Sequence, residues 1–222
     1  MVILTSVLSS PEVEAVRGFL KQAEFVDGKA TAGAAIRDRK ENEQLKRAPG
    51  TPLPVDQLVV QGLLRHPVLQ AWALPLRMSG PLFNRYGQGM SYGNHVDSPV
   101  AGSNPPLRAD IALTLFLSDP AEYDGGELVV ESPAGPKTIK LAAGSAFAYL
   151  GNAQHRVNEI TRGERFAAVT WVQSMVPDDR LRAILFDLAA VEESLSETIP
   201  HTPEFDLLCK ARQNLTRLSV SL

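Results

Sequence analysis

Apolar positions recur at helical spacing near both ends of the chain and form short strand-like runs in between. Ser9-Ser10-Pro11-Glu12 sets a capping serine, a first-turn proline and an early carboxylate ahead of Val13, Val16, Phe19 and Leu20. That combination predicts an amphipathic helix. Val55, Leu58, Val59, Gly62 and Leu63 repeat the spacing, and the pattern stops at His66-Pro67 because proline disfavours helix in the residue before it. From Pro81 to Ser174 short apolar runs alternate with Gly, Pro and Asn. They predict eight strands, at 81–86, 92–97, 109–117, 127–131, 138–141, 146–150, 155–160 and 165–173. That many short strands in one stretch suit a double-sheet jelly roll. Asp124-Gly125-Gly126 marks a turn, and Thr161-Arg162-Gly163-Glu164 is expected as a tight hairpin making the strands on either side antiparallel neighbours.

After Trp171 the helical period returns. Pro177-Asp178-Asp179 precedes a stripe of Leu181, Leu185, Leu188, Val191 and Leu195, and a second helix from Pro203 carries Leu208, Ala211, Leu215 and Leu218. The fold class expected is mainly β with flanking helices. A double-stranded β-helix (jelly-roll) domain with N-terminal helices would span 1–176, its core at about 78–176, and a helical extension over 177–222 would pack on it. The exposed side of that extension offers a surface for a homo-oligomer. Asp27 to Arg47 is poorer in apolar residues and mixes Arg37, Arg39, Lys40, Glu41 and Glu43; it reads as a solvated loop or short helix.

Composition narrows the function classes. The chain has 222 residues, 44% hydrophobic and 21% charged, with a net charge of −3, ordinary for a globular protein and offering no electrostatic case for nucleic acid. No apolar run reaches the ~18 residues a membrane span needs, and Met1 to Leu8 lacks the basic start of a signal peptide, so no membrane partner and a cytoplasmic location are expected. The single Cys209 is expected as a small buried hydrophobe.

His95-Val96-Asp97, with His155 sixty residues after the first histidine, carries the candidate chemistry. Residues i and i+2 of a strand point the same way, so His95 and Asp97 can face one ion together. Two imidazoles and one carboxylate on one face of a metal, with open positions opposite, form the ligand set of non-haem Fe(II) sites. The other histidines, His66 before a proline and His201 between Pro200 and Pro203, read as surface or capping residues. Strand alternation puts Arg165, Ala167, Val169 and Trp171 on one face, and an inward arginine is costly unless it meets an anion. Tyr86 and Tyr92 flank Gly87-Gln88-Gly89 just before the first ligands.

The run from Phe83 to Pro99, FNRYGQGMSYGNHVDSP, resembles the first ligand segment of the prolyl 4-hydroxylase branch of Fe(II)/2-oxoglutarate oxygenases. Gly151 to Val157 together with Thr161 to Trp171 resembles the second. Within that branch the chain is similar, from about Met1 to its end, to the bacterial PKHD-type hydroxylases, the group that includes iron-uptake-associated PiuC proteins. Asp27 to Gly33 resembles an N-terminal stretch of that group, which implies a cover over the active site with Arg37, Arg39, Asn42 and Gln44 as its polar residues.

The resemblance implies Fe(II) on His95, Asp97 and His155, 2-oxoglutarate as cosubstrate, O2 as oxidant and ascorbate as reductant. It also implies that Arg165 takes the C5 carboxylate of 2-oxoglutarate through its guanidinium fork, with a hydrogen bond to the ketoacid from Tyr86. Leu115-Phe116 stands where some relatives present a tyrosine; phenylalanine cannot donate, so Thr114 or another hydroxyl must assist. Because Asp97 keeps its carboxylate, hydroxylation rather than halogenation is expected, on a peptidyl residue, an amino acid or a small metabolite. Two other readings stand beside this one: a cupin-like metalloenzyme that needs no ketoacid, and a non-catalytic iron-responsive jelly-roll module. Arg165 argues against the first, and a ligand set with open positions against the second.

Overall fold

The computed structural model describes residues 1–31, 33–48, 50–102 and 105–221. Arg165–Ser174 is the central strand of the larger sheet, and its alternation explains how one strand serves two environments. Phe166, Ala168 and Val172 join the apolar layer beneath the helices, while Arg165, Ala167, Val169 and Trp171 line an interior cavity. Ile111–Phe116 and Ala146–Leu150 divide in the same way. Ile111, Leu113, Leu115, Ala146 and Ala148 face the helices; Ala112, Phe116, Phe147 and Tyr149 face inward. Coverage on both faces is why these strands read as nearly continuous apolar runs.

The larger sheet runs Val2–Leu4, Ala146–Leu150, Ile111–Phe116, Arg165–Ser174, Leu82–Tyr86, Glu43–Leu45, Phe25–Asp27, with Pro75–Met78 also paired to the central strand. The smaller sheet runs Lys137–Ile139, Leu128–Val130, His155–Val157, Ser91–His95, Lys40–Glu41. Every pairing in both is antiparallel. Together the sheets form the double-stranded β-helix, with the cavity between them.

Helix α1 (Ser10–Gln22) starts where Glu12 accepts hydrogen bonds from the backbone N–H and hydroxyl of Ser9, each 2.7 Å long. Its Val13, Val16 and Leu20 meet Val55, Val59 and Leu63 of α2 (Pro54–Leu64) and Leu69 of α3 (Pro67–Ala73) over the outer face of the larger sheet. Each such side chain, fully buried, contributes about 1.5–3 kcal/mol. Helix α4 (Asp179–Ser196) packs on α3, and α5 (Pro203–Ser219) packs on α4.

Several sequence expectations are corrected here. The strands at His155–Val157 and Arg165–Ser174 are not neighbours; they belong to opposite sheets. Ile160–Gly163 is itself a strand, paired with Tyr123–Gly125, and it carries the chain from one sheet to the other. Residues 27–47, expected as a solvated loop or short helix, do hold short helices at Gly28–Thr31 and Ala34–Arg39, but the part that follows them is strand. Lys40–Glu41 pairs with the smaller sheet and Glu43–Leu45 with the larger, so the segment is a side wall of the barrel that bridges the two. Asn42 and Gln44 are buried in that wall rather than waiting to close over it, whereas Arg37 and Arg39 are exposed. Gly28 is required there, because a Cβ would lie 1.9 Å from Asn42 Oδ1. Helix α3 has no counterpart in the predicted pattern. Val191 and Leu218, expected on buried stripes, are 45% and 86% exposed, and Cys209 is only half-buried.

Candidate active site

His155 stands directly opposite His95 in the antiparallel register, which sets the two imidazoles side by side with ring centres 4.1 Å apart. In each ring Nδ1 faces the carbonyl two residues back, Gly93 at 2.8 Å and Ala153 at 3.0 Å. Those bonds place the proton on Nδ1 and leave the Nε2 lone pair free to face a metal. Burial first, then the neighbouring His155, pushes the His95 imidazole down to about 4, so it is neutral near pH 7.

Asp97 lies two residues beyond the end of the Ser91–His95 strand rather than within it, since the partner strand begins at His155 and offers no pairing further along. Its carboxylate still converges. Asp97 Oδ1 is 3.8 Å from Nε2 of both His95 and His155, and the three ligand atoms lie within 4.8 Å of one another. Asp97 Oδ2 accepts a 2.9 Å hydrogen bond from the Trp171 indole, on the opposite sheet. Tyr92 stacks on His95 at 3.7 Å, and Tyr149 meets His155 edge-on at 5.0 Å.

Arg165 is 1% exposed. Its guanidinium lies 5.3 Å from the Tyr86 ring and 5.1 Å from the Phe116 ring, and its Nε and Nη2 have no hydrogen-bond partner. Glu164, the neighbour that could have neutralised it, lies near Arg85 at 3.7 Å instead. Phe116 offers the cation only a π-face. The hydroxyl of Tyr123 is also buried without a partner. Gly126 (φ +67°) leaves room for the packing of Ile160, Tyr123 and Arg165, since a Cβ there would lie 2.2 Å from Ile160 Cδ1 and 3.1 Å from atoms of the other two. Burial raises the Tyr123 phenol, against the pull of the Arg165 charge.

His95, Asp97, His155, Tyr92, Tyr149, Trp171 and Arg165 border one cavity of about 290 Å³, with Phe116 and Tyr123 set behind Arg165. Tyr86 and Thr114 line it as the sequence suggests. Asn42 and Gln44, named from the sequence, belong to a polar chain along its side wall that sequence reasoning otherwise missed: each donates to Asn84 Oδ1 at 3.0 Å, Thr31 donates to Gln44 at 2.8 Å, and Lys40 donates to Thr31 at 2.7 Å. The alternation of Lys40, Asn42 and Gln44 at i, i+2, i+4 was the available signal. It also missed Tyr149, Tyr123 and the role of Trp171. His66 and His201 lie elsewhere, the first against the Thr5 carbonyl at 3.2 Å and the second at φ 68° in an exposed turn.

A jelly roll with a buried His/Asp/His constellation and an inward arginine defines a class, the 2-oxoglutarate-dependent Fe(II) dioxygenases. The model of the 2OG-Fe(II) oxygenase superfamily matches residues 81–173, the stretch that holds every one of these groups except the side wall. A PKHD-type hydroxylase from Acaryochloris marina (strain MBIC 11017) is 44% identical, over 96% of this chain and 96% of its own. The chain therefore belongs to the PKHD-type hydroxylases. Among solved structures, a Pseudomonas putida prolyl-4-hydroxylase shares the fold at TM-score 0.55 and 19% identity, covering 78% of this chain and 91% of that one. HygX from Streptomyces hygroscopicus, solved with nickel, 2-oxoglutarate and hygromycin B, does so at 0.55 and 16%, covering 79% and 83%. No helix among the described residues is long and apolar enough to cross a membrane.

Proposed function

We propose that His95, Asp97 and His155 hold one Fe(II) ion, that Arg165 receives the C5 carboxylate of 2-oxoglutarate, and that the chain hydroxylates a C–H bond of a small substrate. The observation that carries this reading is a fully buried guanidinium with two unpartnered nitrogens beside three converging ligand atoms. A buried arginine left alone is destabilising by several kcal/mol, so an anion of matching geometry is its natural complement. The donor set fits ferrous iron, with two neutral nitrogens, one carboxylate oxygen and the cavity open on the other side.

When bound, iron with 2-oxoglutarate and O2 supplies the oxidising power, and decarboxylation of the ketoacid to succinate accompanies hydroxylation. The protein's own residues do the positioning. The Gly93 and Ala153 carbonyls fix the imidazole tautomers, Trp171 orients the Asp97 carboxylate, and Tyr86 and Phe116 hold the guanidinium between their rings. Tyr123 supplies the assisting hydroxyl that Phe116 lacks, with Tyr86 and Thr114 as the other hydroxyls within the site. Leu128, Val157, Ala167 and Val169 make the rest of the cavity apolar, which limits water around the reacting atoms.

Ascorbate as reductant and a link to iron uptake rest on the resemblance to PiuC proteins. The test is anaerobic Fe(II) titration and 2-oxoglutarate turnover in His95→Ala, Asp97→Ala and His155→Ala. Each should lose iron binding and succinate formation while keeping its fold by circular dichroism; wild-type occupancy in all three would refute the ligand set.

A further inference from the structure

Lys40 is a second buried cation in the same cavity. It is 5% exposed and lines the wall, and its ammonium sits 5.2 Å from the centre of the Tyr92 ring, which in turn stacks on His95. The side chain makes one hydrogen bond, to Thr31 Oγ1, and among the described residues no carboxylate forms an ion pair with it; Asp97 and Asp27 act on it only through their charge. An ammonium carries three donors, so two remain for a ligand. Thr31 is held by Gln44 and by the Gly28 carbonyl, which fixes where the ammonium can point.

Arg165 already accounts for the distal carboxylate of the cosubstrate. With iron and 2-oxoglutarate in place, the metal and the two cationic side chains exceed Asp97 and both ketoacid carboxylates by one positive charge, the histidines being neutral. A lysine held out of water in an uncompensated site is destabilising, and a methionine would fill the same space without that penalty. Among the exposed lining residues, Val96 and Val100 are aliphatic and Thr31 and Ser98 are polar, and the half-buried Ile36 adds a further apolar side chain.

We propose that Lys40 is a specificity-determining residue that anchors a carboxylate of the substrate, which makes the substrate an aliphatic acid. The inference rests on the placement of iron at His95, Asp97 and His155 and of 2-oxoglutarate on Arg165. The hydrocarbon segment next to the anchored carboxylate would lie along Tyr92 toward the metal ligands, so the bond hydroxylated is close to the acid group.

Calorimetric titration of hexanoate and its neutral isostere hexanamide tests it, using anaerobic wild-type protein loaded with Fe(II) and saturating 2-oxoglutarate. Hexanoate should bind at least about tenfold tighter than hexanamide, the preference expected of a charge-assisted contact. Lys40→Met should lose that preference and Lys40→Arg should retain part of it, with 2-oxoglutarate affinity within about twofold of wild type in both. Equal binding of acid and amide, no binding of either, or a preference surviving in Lys40→Met would each overturn the proposal. A collapse of 2-oxoglutarate affinity in Lys40→Met would overturn it too, by assigning the lysine to the cosubstrate. The wild-type comparison of acid with amide stands even if Lys40→Met does not fold. Failure of wild type to bind 2-oxoglutarate is measured before hexanoate is added, and it strikes the underlying reading separately.

Discussion

Trp171 donates its indole N–H to Asp97 Oδ2 at 2.9 Å, tying the only carboxylate of the His/Asp/His cluster to the larger sheet while both histidines belong to the smaller one. The cluster's geometry thus depends on how the two sheets are held together. Trp171→Phe keeps the ring and removes the donor. Iron affinity should fall about 10–100-fold, the usual effect of losing a partner behind a metal ligand, with little change in thermal stability. Unchanged iron affinity would reduce the indole to a space-filling role.

The unpartnered atoms of Arg165 and Tyr123 predict graded effects on 2-oxoglutarate. Arg165→Lys keeps the charge and loses the fork, so binding should weaken by about 1.5–3 kcal/mol. Tyr123→Phe removes one neutral donor and should weaken it by about 0.5–1.5 kcal/mol. Iron binding, followed by anaerobic titration, should be unaffected in both. A Tyr123→Phe protein indistinguishable from wild type would return the assisting role to Thr114 or Tyr86.

His95 gives the metal-free protein an acid-sensitive range. Its imidazole titrates near 4 rather than 6.5 because burial and His155 oppose the charged form. Below 6.5 the unfolded chain takes up a proton that the folded chain resists until about 4. Stability from this group is therefore fully present above 6.5 and falls as the pH drops toward 4, by on the order of 2–3 kcal/mol. Urea midpoints at pH 7.5, 6 and 4.5 should decline in wild type and decline less in His95→Gln; parallel slopes would assign the loss to other groups.

Lys40 predicts a stability gain from removing a polar group. Burial lowers its ammonium to about 8 from 10.5, so as pH falls from 10.5 through 8 the folded state loses stability relative to the unfolded chain, and at pH 7 the full penalty is present. Lys40→Met should raise the stability of the ligand-free protein at pH 7 by on the order of 2 kcal/mol, with the advantage shrinking toward pH 10.5. Urea denaturation at pH 7 and 10 checks it, and a destabilised Lys40→Met would mean that the Thr31 hydrogen bond outweighs the burial penalty.

By itself the sequence determined the local periods. Alternation along Arg165–Ser174 put Arg165 and Trp171 on the inward face, and the His95-Val96-Asp97 triplet named two ligand types, although Asp97 lies past the end of its strand and is placed by the fold rather than by alternation. Capping residues located α1, and Pro67 marked the region where α2 stops. The resemblance carried by the two ligand segments extended this to the family and its cofactors. Which strands become neighbours was decided only in three dimensions. The short link after His155 looked like a hairpin, yet Ile160–Gly163 pairs with Tyr123–Gly125 and sends the chain to the opposite sheet, since pairing depends on partners far away in sequence. The contacts of Asp97 with Trp171, of Tyr123 with Gly126 and Arg165, and of the side wall with Asn84 are of the same kind. Lys40 is the clearest case: surrounded in sequence by charges of both signs, it reads as solvated, and only the closure of the wall across both sheets buries it without an anion. Local sequence sets which way a side chain faces along its own strand; what it faces is set by long-range packing.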